Sequence, residues 1–186
     1  MRLLRAADTR ETPWKNGGGT TREIAVSPEG AGLDDFDWRV SMARVDAGGP
    51  FSIFPGVDRT LTVLSGGALT LTGEGVSARL SPKSDPFGFS GDVEVAAVIE
   101  DGPVFDLNVM SRRARCAHSA RRLPSVVGVK CLADVALLFI VEASGVLARH
   151  DTVLLERGED LPKHDAAALL VEIDIGLLRD RDACRI

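Results

Sequence analysis

Tyrosine is absent from this chain of 186 residues, aromatic residues of any kind make up 5% of it, and cysteine and histidine occur three times each. Cys116, Cys131 and Cys184 are odd in number and widely spaced, with no C-x-x-C pair. That pattern suggests neither a disulfide framework nor a zinc site and leaves buried or idle thiols. His118, His150 and His164 are isolated, with no H-x-H and no H-E-x-x-H, so a metal would lack a ligand set. A nucleophile elbow is missing too, since no G-x-S-x-G occurs.

Long apolar runs are lacking as well. The longest, Val135 to Val141, has seven residues, against roughly 20 for a helix that crosses a bilayer. The basic start, Met1 to Arg5, meets Asp8 and Arg10 before any signal-peptide segment can form. The expectation is a cytoplasmic protein with no membrane partner. A basic excess is also missing: the net charge is −5, which argues against direct nucleic-acid binding. One stretch departs from this, Arg112 to Arg122, with five arginines, His118 and no acid. It reads as a solvated surface or an interdomain strap, with an anion or RNA patch as the alternative.

Glycine is plentiful (19 residues), and with nine prolines it cuts the chain into short apolar segments, a β signature. Trp38 to Val45 alternates, with Trp38, Val40 and Met42 on one face and Arg39, Ser41 and Ala43 on the other. Thr60 to Leu64 and Ala68 to Thr72 flank Ser65-Gly66-Gly67 and predict a hairpin. Val76 to Leu80, Val93 to Ile99 and Val104 to Met110 continue the series, joined by turn chemistry at Gly73-Glu74-Gly75, Ser90-Gly91-Asp92 and Asp101-Gly102-Pro103. Strands recurring at this spacing point to a sandwich or barrel rather than to βαβ units. Beyond residue 122 come weaker runs: Val126 to Leu132, Val135 to Val141, Val146 to Arg149, Thr152 to Leu155 and Ala168 to Ile173. They suggest a second, poorer barrel, ending in a short helix or a frayed tail over Leu177 to Ile186.

Three segments carry candidate chemistry. In Pro13 to Ile24, three consecutive glycines are costly to order, so the backbone there must bend sharply or approach something closely. The segment is either an N-terminal loop with Trp14 tucked into the core or a pocket wall with Lys15 aimed at an anion or carbonyl. A phosphate-binding P-loop fails, because the lysine precedes the glycines. In Gly48 to Thr60, Asp58 and Arg59 either pair at the surface or send Arg59 into a barrel mouth, where its planar fork suits a carboxylate. In Pro103 to Arg112, Phe105, Leu107 and Val109 share one face and Asp106, Asn108 and Met110 the other. That second face is either solvated or the lining of a partly polar cavity.

Together these segments resemble the HutD/Ves family. Trp14 to Ile24 looks like its opening signature, and Phe36 to Ser41, Gly49 to Ser52, Phe54 to Leu61 and Asp106 to Met110 match later blocks in order. The resemblance implies an all-β bicupin, with a first cupin-like barrel over 1–113 and a crossover and degenerate second barrel over 114–186. Cupins usually bind a metal through histidines of their first motif. The corresponding stretch, Phe51 to Arg59, has none, as is usual in this family, so the resemblance implies a metal-free pocket and no cofactor. It also implies a role in histidine utilisation, sensing or disposing of an intermediate such as urocanate or formylglutamate.

The expected ligand is therefore a small organic acid in the first barrel's mouth. Trp14 would wall the pocket, Lys15 and Arg59 would neutralise the carboxylate, and Asn16 and Asn108 would hydrogen-bond a carbonyl or amide. Gly17, Gly18 and Gly19 would let the backbone approach the ligand. Thr21 and Glu23 would bond a ligand N–H or orient Lys15, and Met110 would line the cavity. Arg39 is a weaker candidate, on a face that alternation alone leaves inside or outside. The alternative is a metal-free isomerase or hydrolase using Glu23 or Lys15 as acid or base. A homodimer and a regulatory protein partner, reached through Arg112 to Arg122, stay open.

Overall fold

The structure is a computed structural model that describes residues 1–127 and 130–176. Part of the run expected over Val126 to Leu132, the expected ending over Leu177 to Ile186, and Cys184 lie outside the described residues. Among the described residues, thirteen strands and one three-residue 3-10 turn make up the regular structure. In chain order they are β1 (Arg2–Leu4), β2 (Glu11–Pro13), β3 (Gly19–Ser27), β4 (Trp38–Val45), β5 (Gly49–Pro50), β6 (Val57–Gly73) and β7 (Val76–Leu80). There follow β8 (Phe87–Ser90), β9 (Val95–Arg112), β10 (Cys116–Leu123), β11 (Val135–Ile140), β12 (Thr152–Glu156) and β13 (Ala168–Ile175).

These strands form an eight-stranded sheet ordered β2-β3-β4-β9-β6-β7, with β5 on β9 and β8 on β6, and a five-stranded sheet ordered β1-β12-β11-β13-β10. The all-β, two-barrel expectation holds, and the second half is the poorer one. The N-terminal strand crosses over: Arg2 to Leu4 pair with Leu154 to Thr152 of β12, in the second sheet.

Two expected turns are not turns. Ser65-Gly66-Gly67 does not close a hairpin, because β6 runs through it, and β9 likewise runs through Asp101-Gly102-Pro103. The two strands pair along their whole length, with register shifts between Val63 and Ser65 and between Gly66 and Ala68. A Cβ on Gly66 or Gly67 would stand 2.0 Å from a carbonyl oxygen of the facing strand (Pro103 or Glu100). Gly66, Asp101 and Gly102 take positive φ values. The glycines are thus bulge residues that bend both strands together, and the folded-over sheet encloses Leu61, Val63, Leu69, Leu71 and Val104.

Alternation along β4 and β9 divides their faces as the sequence suggests. Trp38, Val40, Met42, Leu107 and Val109 pack against Leu137, Phe139, Leu169, Val171 and Ile173 of the five-stranded sheet. The opposite face of that second sheet covers its own core, which includes Ala136, Leu138, Ile140, Val153 and Leu155. Cys116 and Cys131 are buried free thiols.

The arginine-rich stretch stitches the two halves. Arg112 donates to the carbonyls of Phe36 and Asp34, and Arg113 pairs with Asp58 and Asp92. Arg115 pairs with Asp37, Arg121 lies near Glu172, and Arg122 donates to the carbonyls of Ser84 and Val63. The strap reading fits, and all five guanidinium groups have intramolecular partners. His118 of β10 bridges β9 and β6: Nδ1 lies 2.6 Å from Ser111 Oγ and Nε2 lies 2.9 Å from Thr60 Oγ1. Desolvation pushes its pKa down to about 4, against a smaller opposing pull from Asp58. The neutral imidazole therefore stabilises the fold fully above its unfolded pKa near 6.5, and that contribution is lost as pH falls toward 4.

His118→Ala leaves the buried Ser111 and half-buried Thr60 hydroxyls without their partner and should cost about 1–3 kcal/mol at pH 7.5. In urea denaturation the gap between wild type and variant should narrow as pH is lowered from 6.5 to 4. A gap independent of pH would show that folding does not lower the imidazole's pKa.

Candidate functional site

The inward faces of β4, β6 and β9 floor a cavity of about 840 Å³. Cross-strand register builds it. Ser41 faces Asn108, Ala43 faces Asp106, and Met110 stands between Arg39 and Arg59. Side chains on one face of paired strands lie about 4.5–5.5 Å apart, so three neighbouring strands bring these polar groups to one wall. The Pro13–Asn16 segment, Ala31–Leu33 and the Pro50–Phe54 segment form the rim.

Arg59 dominates the floor. Its residue is 7% exposed, and its guanidinium lies 5.0, 5.5 and 5.1 Å from the ring centroids of Phe51, Phe54 and Phe89. Cation–π attraction grows when the cation is desolvated, so this aromatic box partly replaces the lost water. Among the described residues Arg59 donates once, to the Ser52 carbonyl at 3.3 Å, while its Nε has no partner. Burial pulls its pKa down to about 10, with the charge of Asp106 acting the other way. Asp106 is 2% exposed, and burial pushes its carboxyl up to about 7 despite the pull of Arg59. Asp106 Oδ1 and Asn108 Oδ1 are buried acceptors without donors. Unmatched buried acceptors are costly to the fold, and at the wall of a hollow they favour a ligand that brings donors.

The structure brings together most of the residues singled out in the sequence. Trp14, Lys15, Asn16, Thr21, Glu23, Arg59, Asn108 and Met110 all line the cavity. Arg39 lines it too; its face is inside. Several roles change. Glu23 does not orient Lys15; it accepts from Arg39 Nε at 2.9 Å. The Thr21 hydroxyl accepts from Trp14 Nε1 at 2.7 Å, and Asn16 Oδ1 accepts from the Gly18 amide at 3.1 Å. Asp58 pairs with Arg113 rather than with Arg59.

Gly17, Gly18 and Gly19 do not line the cavity. They form the tip of the β2–β3 hairpin, where Trp14 N donates to the Gly19 carbonyl at 2.9 Å. A Cβ on Gly19 would stand 2.2 Å from the Arg44 carbonyl oxygen and 3.3 Å from the Trp14 ring. The close approach that Gly19 permits is therefore protein against protein, while a Cβ on Gly17 would meet nothing within 4 Å. Asp106 and the phenylalanine box are the features that sequence reasoning missed. The alternation that put Asp106 beside Asn108 and Met110 was the available signal.

The cavity donors do not fit a metal ion. Among the described residues its carboxyls are Glu23, committed to Arg39, and Asp106, and no imidazole or thiol lines it. Among the described residues no group of three or more His, Cys, Asp or Glu side chains is placed to hold one.

Comparison with known proteins matches the HutD family model over residues 6–182. The chain belongs to the HutD family. Its relatives include Protein Ves of Citrobacter koseri, 42% identical over 118 residues, which are 61% of each chain. Another is an uncharacterized 21.2 kDa protein in the hutC 3' region of Pseudomonas putida, 42% identical over 59% of this chain and 57% of the relative. The alignments thus span about three fifths of the length of these curated relatives.

Among solved structures, HutD from Pseudomonas fluorescens SBW25 superposes with a TM-score of 0.81 at 31% identity, covering 94% of this chain and 98% of that one. The conserved protein PA5104 of Pseudomonas aeruginosa PAO1 superposes with a TM-score of 0.79 at 35% identity, covering 93% and 98%. The fold is the cupin-type double barrel of this family. Among the described residues no helix is long and apolar enough to cross a membrane.

The Asp106 carboxyl also makes the HutD-family cavity a testable element of stability. Its folded pKa near 7 lies above the 3.8 of an ordinary aspartate. The stability it allows is complete below about pH 4 and is lost as pH rises through 7. Asp106→Asn, which cannot ionise, should therefore melt a few degrees above wild type at pH 8. In scanning calorimetry the gap should widen between pH 5 and pH 7 and then level off. A constant gap would mean that the carboxyl is ionised throughout.

Proposed function

We propose that the chain is a metal-free binding protein for a small organic acid, held in the cavity of the eight-stranded sheet. The observation that carries this reading is the buried Arg59 guanidinium, boxed by three rings and left with an unpartnered Nε. Four cations, Arg10, Lys15, Arg39 and Arg59, line the cavity against the carboxyls of Glu23 and Asp106. The chain as a whole carries a charge of −5, so this hollow is a local attractor for anions. Arg59 binds the carboxylate, the exposed Lys15 and Arg10 guide it in, and Asn108 serves the ligand's amide or ring N–H. Each charge-assisted bond is worth about 1.5–3 kcal/mol.

Family membership and the relative in the hutC 3' region support a regulatory place in histidine utilisation, with formylglutamate or urocanate as the acid sensed in the cytoplasm. The liganded state is then read by a partner protein or by a second copy of the chain. The arginines of residues 112–122, spent on internal contacts, do not favour themselves as that surface. One observation favours a second reading. A buried carboxyl titrating near neutrality, as Asp106 does, suits a general acid or base, which would make the protein a metal-free isomerase or hydrolase of a small carboxylate.

Formylglutamate or urocanate should raise the melting temperature, since a ligand that prefers the native state stabilises it. Arg59→Ala, with an unchanged circular dichroism spectrum, should weaken binding at least tenfold by calorimetry, and Arg59→Lys should recover only part of it. Unchanged affinity in Arg59→Ala would overturn the placement, and turnover of either acid would decide for the enzyme.

A further inference from the structure

We propose that Asp106 is itself a ligand-contacting residue that shares a proton with the carboxylate of the bound acid, so that capture of the anion takes up one proton from solvent. The inference rests on the organic-acid reading above and assigns a further residue and a regulation to the same site.

The geometry carries it. Asp106 lies on the cavity wall at 2% exposure, and its Oδ1 has no donor within the protein. The charged groups that face the cavity with it are Arg59 from β6, Arg39 from β4, Glu23 from β3, and Arg10 and Lys15 from the rim. Arg39 is committed to Glu23 Oε2 and Ser41 Oγ, and Arg10 and Lys15 are exposed. Arg59 is thus the one buried cation of the cavity without an ion-pair partner among the described residues.

A ligand carboxylate drawn to Arg59 therefore enters a cavity that a second buried carboxyl also lines, one whose charge reaches Arg59. Two carboxylates in one such site do not both stay ionised; one proton is held between them. The resulting O–H···O⁻ bond is short and strong. It also supplies the donor that neither carboxylate can offer the other. In the free protein Asp106 is already close to this point, its carboxyl being raised to about 7 by burial. Below pH 7 the proton is in place before the ligand arrives. Above pH 7 it must come from solvent on binding, and affinity falls with rising pH.

The test is calorimetric titration of the intact protein with N-formyl-L-glutamate, whose carboxyls are ionised above pH 6, in two buffers of different ionisation enthalpy. At pH 8.5 the buffer dependence should report uptake of close to one proton, and at pH 6.0 almost none. Affinity should be weaker at pH 8.5 than at pH 6.0 by on the order of thirtyfold. Asp106→Asn should still bind, with no proton uptake and an affinity that no longer changes between the two values. Binding of equal strength at both pH values with no uptake would overturn the proton-sharing role and leave the organic-acid reading intact. Uptake that persists in Asp106→Asn would also overturn it, by placing the proton elsewhere. No binding at either pH would end both.

Discussion

A guanidinium taken out of water is the constraint around which this barrel is arranged. Burying a charge costs several kcal/mol unless the surroundings answer it. Arg59 receives three ring faces, one carbonyl and the charge of Asp106, with which it makes no ion pair. None of these is a close carboxylate of the kind that would neutralise it. Phe51 and Phe54 come from the rim and Phe89 from β8, so the box exists only when strand and rim are both in place. The cavity is therefore built around a cation that the protein itself leaves incompletely satisfied.

The other arginines show the contrast. Those of the stretch linking the two sheets end on carbonyls or carboxylates of the protein, and Arg39 is closed by Glu23. The molecule thus separates structural cations, paired within the protein, from a buried one that faces the hollow without an ion pair. The same separation holds for imidazoles. His118 is neutral and occupied on both nitrogens by Ser111 and Thr60, so it serves cohesion between β10 and the pocket strands rather than chemistry in the pocket.

Period-two alternation made much of this legible in the sequence. The two faces of Trp38 to Val45 and of Phe105 to Met110 could be written down from residue order alone, because a strand offers only two choices. What order could not say was which face met solvent, since that depends on a second sheet far along the chain. Asp106 was passed over for this reason: an acid on an isolated strand looks solvated until β6 and β4 flank it. The glycine pairs misled in the opposite way. Gly66-Gly67 has the composition of a reversal, yet the same freedom serves a bulge where two long strands cross closely, and only the facing carbonyls of Pro103 and Glu100 distinguish the two. Of Gly17 to Gly19, likewise, only Gly19 marks a close approach, and the approaching group is Arg44's own backbone.

The crossing of β1 into the second sheet has a bearing on how this molecule came to hold together. Residues 2–4 complete one barrel and residues 11–13 begin the other, so the chain is laced through both before either is finished. Severing it after residue 113 would strand the first three paired residues without a partner and bare Trp38, Val40, Met42, Leu107 and Val109 to water. The two halves are architecturally distinct but not separable goods: neither is a module that evolution or an experimenter can lift out whole.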